Sequence, residues 1–311
     1  MTGEIVALAF GLACAGVGGE LFVRAAVGIA AWARVPAGVI GATVAAFATS
    51  TPEVSVAIGA AISEKPEIAL GDGLGSNVVN VALVLGLALL IGPIVSPRES
   101  TRRDVPFAVL IPLVTIIVAL DGTVSRIDGL ILAGVFSAWL ALTTLGARRE
   151  RSAAVEVLAE HSHVRSIGEM LVGLMFLIAA GRLIVVGARG VGEELGLDAF
   201  VIGATFVAVG TSTPELATTL VARLRGHSEI GLGTIVGSNI YNGGFVIAIA
   251  ALIHPIDVNF REVGAAIGFG LALVALLLNA RGMLGRRLGM MFLALYVVYL
   301  VVLVRSGTPA H

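Results

Sequence analysis

The 311-residue chain is short of charge: Asp, Glu, Lys and Arg make up 13% of it, about half of the roughly 25% usual in a soluble domain. Cysteine is nearly absent. The lone Cys14, set in an apolar run, excludes an internal disulfide and a cysteine-ligated metal cluster. Histidine is scarce too. The five (161, 163, 227, 254 and 311) lie in loops, at segment ends or at the C-terminus, and read as solvated polar residues. The apolar segments hold no nucleophile–base or metal–histidine set, which argues against an intramembrane enzyme. Net charge is −1 and the basic residues sit in short loops, so there is no basic face for nucleic acid. No basic stretch precedes the first apolar run, which is long enough to span, so no cleavable signal peptide is expected.

What is present is apolarity. Hydrophobic residues make up 57% of the chain and mean hydropathy is +1.00. Apolar runs approach the ~20 residues that cross a bilayer. Because backbone polar groups inside lipid must pair internally, such runs form helices. The expected fold is an all-α integral membrane protein with ten transmembrane helices, over 4–30, 37–63, 68–92, 104–120, 127–146, 166–188, 199–224, 229–253, 262–279 and 286–304. Placing the N-terminus outside puts thirteen basic residues in cytoplasmic loops against five outside, so both termini are expected outside. On the first helix Glu20 and Arg24 are four apart and suit an ion pair, with Arg182 as another partner for Glu20.

The chain is written twice. Residues 39–84 and 201–246 align without a gap at an offset of 162, identical at 21 of 46 positions. Each copy runs Ile-Gly-Ala-Thr to Thr-Ser-Thr-Pro-Glu (ending at Glu53 and Glu215), then to Gly-Ser-Asn-x-x-Asn (Gly75 to Asn80; Gly237 to Asn242). Residues 1–146 form one five-helix repeat and 166–311 the other, joined by a cytoplasmic linker at 147–165 with a short surface helix at 153–160. Five is odd, so the second half enters from the opposite side. Inverted repeats of this kind build many secondary transporters.

Pro52 cannot donate to the carbonyl of Ala48, and Pro214 does the same near Gly210, freeing backbone oxygens beside Thr49 and Thr211. Hydroxyls (Thr49, Ser50, Thr51; Thr211, Ser212, Thr213) and one carboxylate (Glu53; Glu215) stand at each break. Carbonyl, hydroxyl and carboxylate oxygens are the ligands of hard cations such as Ca²⁺ and Na⁺. On the following helix Asp72, Ser76 and Asn80 are spaced by four and share one face, as do Thr234, Ser238 and Asn242. Inverted symmetry brings Glu53 and Glu215 together near the midplane, flanked by Ser76, Asn80, Ser238 and Asn242. Carboxylates inside a membrane mark function by default.

At these motifs the chain resembles the sodium/calcium exchanger family of the cation/calcium antiporter superfamily, most of all its compact prokaryotic members. The resemblance implies electrogenic exchange of Na⁺ for Ca²⁺ by alternating access in a prokaryotic plasma membrane, with the ions as transported ligands and no cofactor. It implies that Glu53 and Glu215 hold Ca²⁺ together with the carbonyls of Thr49 and Thr211. It assigns Na⁺ to Ser50, Ser238 and the Ala46 carbonyl on one side, and to Ser212, Ser76 and the Ala208 carbonyl on the other. Asn80 and Asn242 line the centre, and the first helix of each half slides over the rest.

Three features depart from the family pattern. Ala48 stands where glycine is usual, asparagine occupies both 80 and 242 where some relatives carry one aspartate, and Asp72 stands where asparagine is common. With two glutamates the site charge is about −2. Asp72 is read as a solvated helix-start carboxylate near the outer face, with an entrance ligand or a proton acceptor as the other readings. The alternative transport mode is Ca²⁺/H⁺ exchange, although proton-coupled relatives typically carry Gly-Asn-x-x-Glu in place of Thr-Ser-x-Pro-Glu. A cation channel is the reading from another class; channels usually build their filter from a ring of identical subunits.

Overall fold

The computed structural model describes residues 2–33, 35–95, 98–151, 163–194, 199–279 and 282–307. Helices follow the apolar runs: α1 (Thr2–Ala33), α2 (Ala37–Ile62), α3 (Pro66–Ile91), α4 (Arg98–Val118), α5 (Arg126–Arg151), α6 (His163–Glu194), α7 (Ala199–Thr211), α8 (Thr213–Leu224), α9 (Ser228–Ile253), α10 (Phe260–Asn279) and α11 (Arg286–Gly307). Prolines 52, 66 and 214 stand in the first turn of a helical segment, where a missing N–H costs nothing.

Among the described residues, seven helices are long and apolar enough to cross a bilayer, or eight when α7 and α8, bent by 41° at Ser212, count as one. The expected span at 104–120 overlaps α4 and runs two residues past its end, and that at 166–188 falls within α6; neither helix is among these. Between their ends α5 and α11 expose many apolar side chains, with Ile127, Leu130, Leu142, Val297 and Val301 facing outward. A surface of that kind belongs against lipid.

At the centre lie α3 and α9, each 78% buried by the rest of the protein, against 22–44% for the other single spans. Their burial rests on backbone contact with α7 and α2. A Cβ added to Gly75 would stand 2.5 Å from Ala204 Cα, and one on Gly71 or Gly237 would meet the carbonyl of Phe200 or Ala42. One on Gly41 would stand 2.5 Å from the Ile230 carbonyl, and one on Gly203 the same distance from that of Ile68. These contacts come in reciprocal pairs: Gly41–Ile230 answers Gly203–Ile68, and Gly75–Ala204 answers Gly237–Ala42. Each pair is related by the 162-residue offset seen in the sequence.

Two short antiparallel strand pairs are the departure from an all-helical expectation. β1 (Ile94–Val95) pairs with β4 (Met283–Leu284), and β2 (Thr123–Val124) pairs with β3 (Ile256–Asp257), so each pair joins the first half to the second. Beside them Arg126 donates to the carbonyls of Leu252 (3.1 Å) and Ile253 (3.2 Å), and Arg286 to that of Ile91 (3.5 Å). The surface helix expected at 153–160 lies outside the described residues.

The motif helices also carry wide π turns, at Gly41–Ala45, Val79–Leu85, Gly203–Val207 and Asn242–Val246. Such turns recur at functional sites in helices. A pattern read only for apolar period does not reveal them.

The pairing of Glu20 with Arg24 is corrected. Arg225 on α8's C-cap binds Glu20 at 2.6 Å, and Arg24 binds Glu169 on α6 at 3.0 Å. A contact of Glu20 with Arg182 lies outside the described side chains. Both pairs tie α1 to neighbours distant in sequence, which helical spacing alone does not reveal.

Candidate ion-binding site

The two helix breaks face each other across the centre. At Ser50 (φ −84°, ψ 10°) and Ser212 (φ −78°, ψ 5°) the backbone leaves helical geometry, and Glu53 and Glu215 follow in the first turn of the next segment. Both glutamates are completely buried, and each lies within the field of the other. Thr49, Ser50, Ser76, Asn80, Ser238 and Asn242 are also 0% exposed, while Thr211 and Ser212 are nearly so. Of the carbonyls expected to bind Na⁺, that of Ala46 accepts the Ser50 N–H at 2.9 Å and that of Ala208 accepts the Ser212 N–H at 3.0 Å. One lone pair of each is thus already engaged.

The hydrogen bonds divide unevenly between the two glutamates. Ser238 Oγ donates to Glu215 Oε1 at 2.9 Å, and Ser50 Oγ reaches the same oxygen at 3.3 Å and Ser238 Oγ at 3.1 Å. The matching residues around Glu53 do not repeat this. Ser76 Oγ lies 3.3 Å from Asp72 Oδ1, and Thr211 Oγ1 donates to that same oxygen at 2.8 Å. Neither oxygen of Glu53 has a hydrogen-bond partner, and neither does Ser212 Oγ.

Asp72 is therefore a correction. It is 0% exposed and joins the site, where the sequence suggested a solvated helix start. The helix begins at Pro66, so Asp72 lies nearly two turns inside it, and Gly71 and Gly75 press that turn onto α7. The pocket accordingly holds three carboxylates rather than two. Its counterpart in the second copy, Thr234, turns its hydroxyl back to the Ile230 carbonyl at 2.9 Å.

Asn77 and Asn239, not singled out beforehand, link the halves. Asn80 Nδ2 donates to Asn239 Oδ1 and Asn239 Nδ2 to the Asn77 carbonyl, both at 3.1 Å. The signal was available, since both asparagines belong to the repeated Gly-Ser-Asn. Asn80 Oδ1 and both side-chain atoms of Asn242 are left unpaired. The buried oxygens without partners thus include those of Glu53, Glu215 Oε2, Asp72 Oδ2, Asn80 Oδ1, Asn242 Oδ1 and Ser212 Oγ. Leaving buried polar atoms unpaired costs about 1–3 kcal/mol each and more when charged, so a concentration of acceptors calls for a positive charge. Among the described residues no three His, Cys, Asp or Glu side chains converge to hold one ion by themselves. An ion here needs hydroxyl, amide or carbonyl oxygens as well.

Apolar helices around a buried oxygen cluster define an integral membrane protein that handles cations. The sequence profile described as "Sodium/calcium exchanger protein" matches residues 3–145 and 165–305, and the chain belongs to that family. It is 32% identical to the uncharacterized membrane protein MJ0091 of Methanocaldococcus jannaschii, over 90% of this chain and 91% of the relative. It is 27% identical to the sodium/calcium exchanger MaX1 of Methanosarcina acetivorans, over 97% of this chain and 99% of the relative. A solved structure of the sodium-calcium exchanger NCX_Mj soaked with Na⁺ and Sr²⁺ is similar with a TM-score of 0.80 at 31% identity, covering 96% of this chain and 98% of that one. The protein is thus an antiporter of cations and not an enzyme. The ions are its substrates, and the family uses no cofactor.

Proposed function

We propose that the chain exchanges Na⁺ for Ca²⁺ by alternating access through ten membrane spans arranged as two inverted halves, 1–146 and 166–311. The reciprocal glycine contacts and the crossed strand pairs support the inverted arrangement, since each contact recurs with the halves exchanged. Counting α7 with α8 as one span and adding α4 and α6 gives ten. The basic-residue bias places both termini outside and the 147–165 linker in the cytoplasm.

The observation that carries the reading is the set of buried oxygens without partners on Glu53, Glu215, Asn80 and Asn242. Glu53 and Glu215, with the Thr49 and Thr211 carbonyls, hold Ca²⁺. Ser50, Ser238 and the Ala46 carbonyl take Na⁺ on one side; Ser212, Ser76 and the Ala208 carbonyl take it on the other. Unlike ions sharing a low-dielectric pocket repel one another strongly, so Ca²⁺ and a full Na⁺ load occupy it in turn and their fluxes are coupled. Relatives named as sodium/calcium exchangers support Na⁺ as the driving ion.

The test is ⁴⁵Ca²⁺ uptake into Na⁺-loaded proteoliposomes. Uptake that stops with Glu53→Gln and with Glu215→Gln supports the reading. Absent uptake, uptake indifferent to both substitutions, or uptake driven by a pH gradient without Na⁺ overturns it.

A further inference from the structure

At the end of the molecule where α6 begins and α8 stops, α1 is tied to both by charge. Arg225 grips Glu20 with two parallel bonds, 2.6 and 3.0 Å long, the strong form of an arginine–carboxylate pair. Arg24, one turn from Glu20 on the same helix, is taken up by Glu169 at 3.0 Å, which leaves Glu20 to Arg225. A cavity of about 240 Å³ opens beside the pairs, lined by Glu20, Val23, Arg24, Val27, Arg225 and His227. Between this cavity and the ion site α1 presses on α8: a Cβ on Gly19 would stand 3.1 Å from both the Ala217 carbonyl and Val221 Cγ2.

Next to that contact α8 keeps a hydroxyl free. Thr218 is 0% exposed and its Oγ1 has no partner. Other buried threonines, such as Thr49, Thr115, Thr205 and Thr234, return the hydroxyl to the carbonyl one turn back. Spacings of three and seven residues keep Glu215, Thr218 and Arg225 on one face of the helix, over about 15 Å of its length. Neither feature is written into the first copy. The 162-residue offset matches Thr218 with Val56, and the Glu20–Arg225 pair with Arg182 and Ser63, which cannot form an ion pair.

We infer that the Glu20–Arg225 pair is a one-sided latch: it holds α1 against α8 over Thr218 and keeps the ion-free protein closed toward the cytoplasm. For an ion to pass between Glu215 and the cavity, α1 has to part from α8 at Gly19, and that movement pulls Glu20 away from Arg225. The matching positions at the outer end carry no such pair, so the two faces of the cycle differ in energy although the halves share a fold. The inference rests on the alternating access and orientation of the proposed function, and adds which side is barred and by which residues.

Thiol accessibility in the detergent-solubilised full chain tests this without requiring transport. The lone cysteine is removed by Cys14→Ser, and reporters are introduced one at a time, Thr218→Cys beside the latch and Val56→Cys at the matching outer position. Each is reacted with N-ethylmaleimide, a neutral reagent, in chelator and N-methylglucamine chloride. Adding Glu20→Gln should speed labelling of the Thr218 reporter by about two- to fivefold, the shift that loss of one exposed ion pair permits, and leave the Val56 reporter unchanged or slower. The exchanged pair, Glu20→Arg with Arg225→Glu, should restore the slow rate. Raising the salt from about 20 to about 500 mM screens the pair, so it should speed the Thr218 reporter when Glu20 is present and not when it is replaced. A Thr218 reporter indifferent to Glu20→Gln, both reporters speeding together, or no rescue by the exchanged pair overturns the latch. Labelling that behaves as expected while ⁴⁵Ca²⁺ uptake proves independent of Na⁺ overturns the exchange reading and not the latch; Na⁺-driven uptake with unresponsive labelling does the reverse.

Discussion

Gly75→Ala is the sharpest probe of how the centre is held together. A methyl there would lie 2.5 Å from Ala204 Cα, 2.6 Å from its carbonyl oxygen and 2.8 Å from its carbonyl carbon, all backbone atoms of the opposite half. No side-chain rotation relieves such contacts, so α3 has to move away from α7. Against backbone atoms this close the added methyl costs near the top of the usual range of about 1–3 kcal/mol, and the helix preference of alanine returns up to ~1 kcal/mol, leaving a net loss of about 2 kcal/mol. At roughly 2 °C per kcal/mol, the low end of the range for 150–250 residues and the end nearest this 311-residue chain, the melting temperature should fall by about 4 °C. Gly59→Ala is the matched control, because nothing lies within 4 Å of the added methyl. It keeps only the helix-preference gain and should leave the melting temperature unchanged or slightly higher. Unfolding followed by tryptophan fluorescence in detergent reads both variants. A Gly75→Ala protein that melts with or above the wild type, or two variants shifting the same way, would refute backbone packing as the basis of the central pair.

The uneven hydrogen bonding of the two glutamates has its own consequence. Without bound ions, Glu53→Gln removes a buried acid that has no donors, whereas Glu215→Gln also disrupts bonds from Ser238 and Ser50; hydrogen bonds to charged groups contribute about 1.5–3 kcal/mol. In chelator, Glu53→Gln should therefore melt above Glu215→Gln, and the opposite order would count against the geometry. Ser238→Ala removes a donor 2.9 Å from Glu215 and one neighbour of Ser50. It should weaken Na⁺ activation of ⁴⁵Ca²⁺ uptake several-fold, with unchanged half-activation by Na⁺ as the contrary result. Arg225→Ala breaks a pair whose arginine is 60% exposed, and exposed pairs contribute about 0.2–1 kcal/mol. Melting should drop by no more than a few degrees, less in high salt, and a collapse of the fold would mean the pair matters far more than its exposure suggests.

The helices were legible because apolar runs bounded by proline and charge leave the backbone no other solution in lipid. The boundaries at 37–63, 68–92 and 229–253 lie within two residues of α2, α3 and α9. The duplicated motif pointed to the candidate site for a related reason: clustered oxygen groups beside a helix break have few other uses in an apolar segment. Asp72 was misread because its burial is set by Gly71 and Gly75 meeting residues 200–204, a contact about 130 positions away that no local pattern records. Glu20 was given a partner one turn along its own helix, and the partner that geometry supplies is 205 residues distant. The π turns escaped notice because a hydrophobic period of 3.6 and a locally widened turn bury nearly the same residues.

The crossed glycine contacts also govern the order of assembly. Gly41, Gly71 and Gly75 meet Ile230, Phe200 and Ala204, so the grooves of the N-terminal half are already synthesised well before anything exists to fill them. During that interval Asp72 on α3 lacks its hydroxyl donor Thr211, and Glu53 on α2 lacks a closed interior. Biogenesis in the bilayer must therefore keep a half-built, polar-cored bundle from other partners until the second half arrives, and a chain arrested before residue 200 is expected to be degraded rather than to persist as a folded unit.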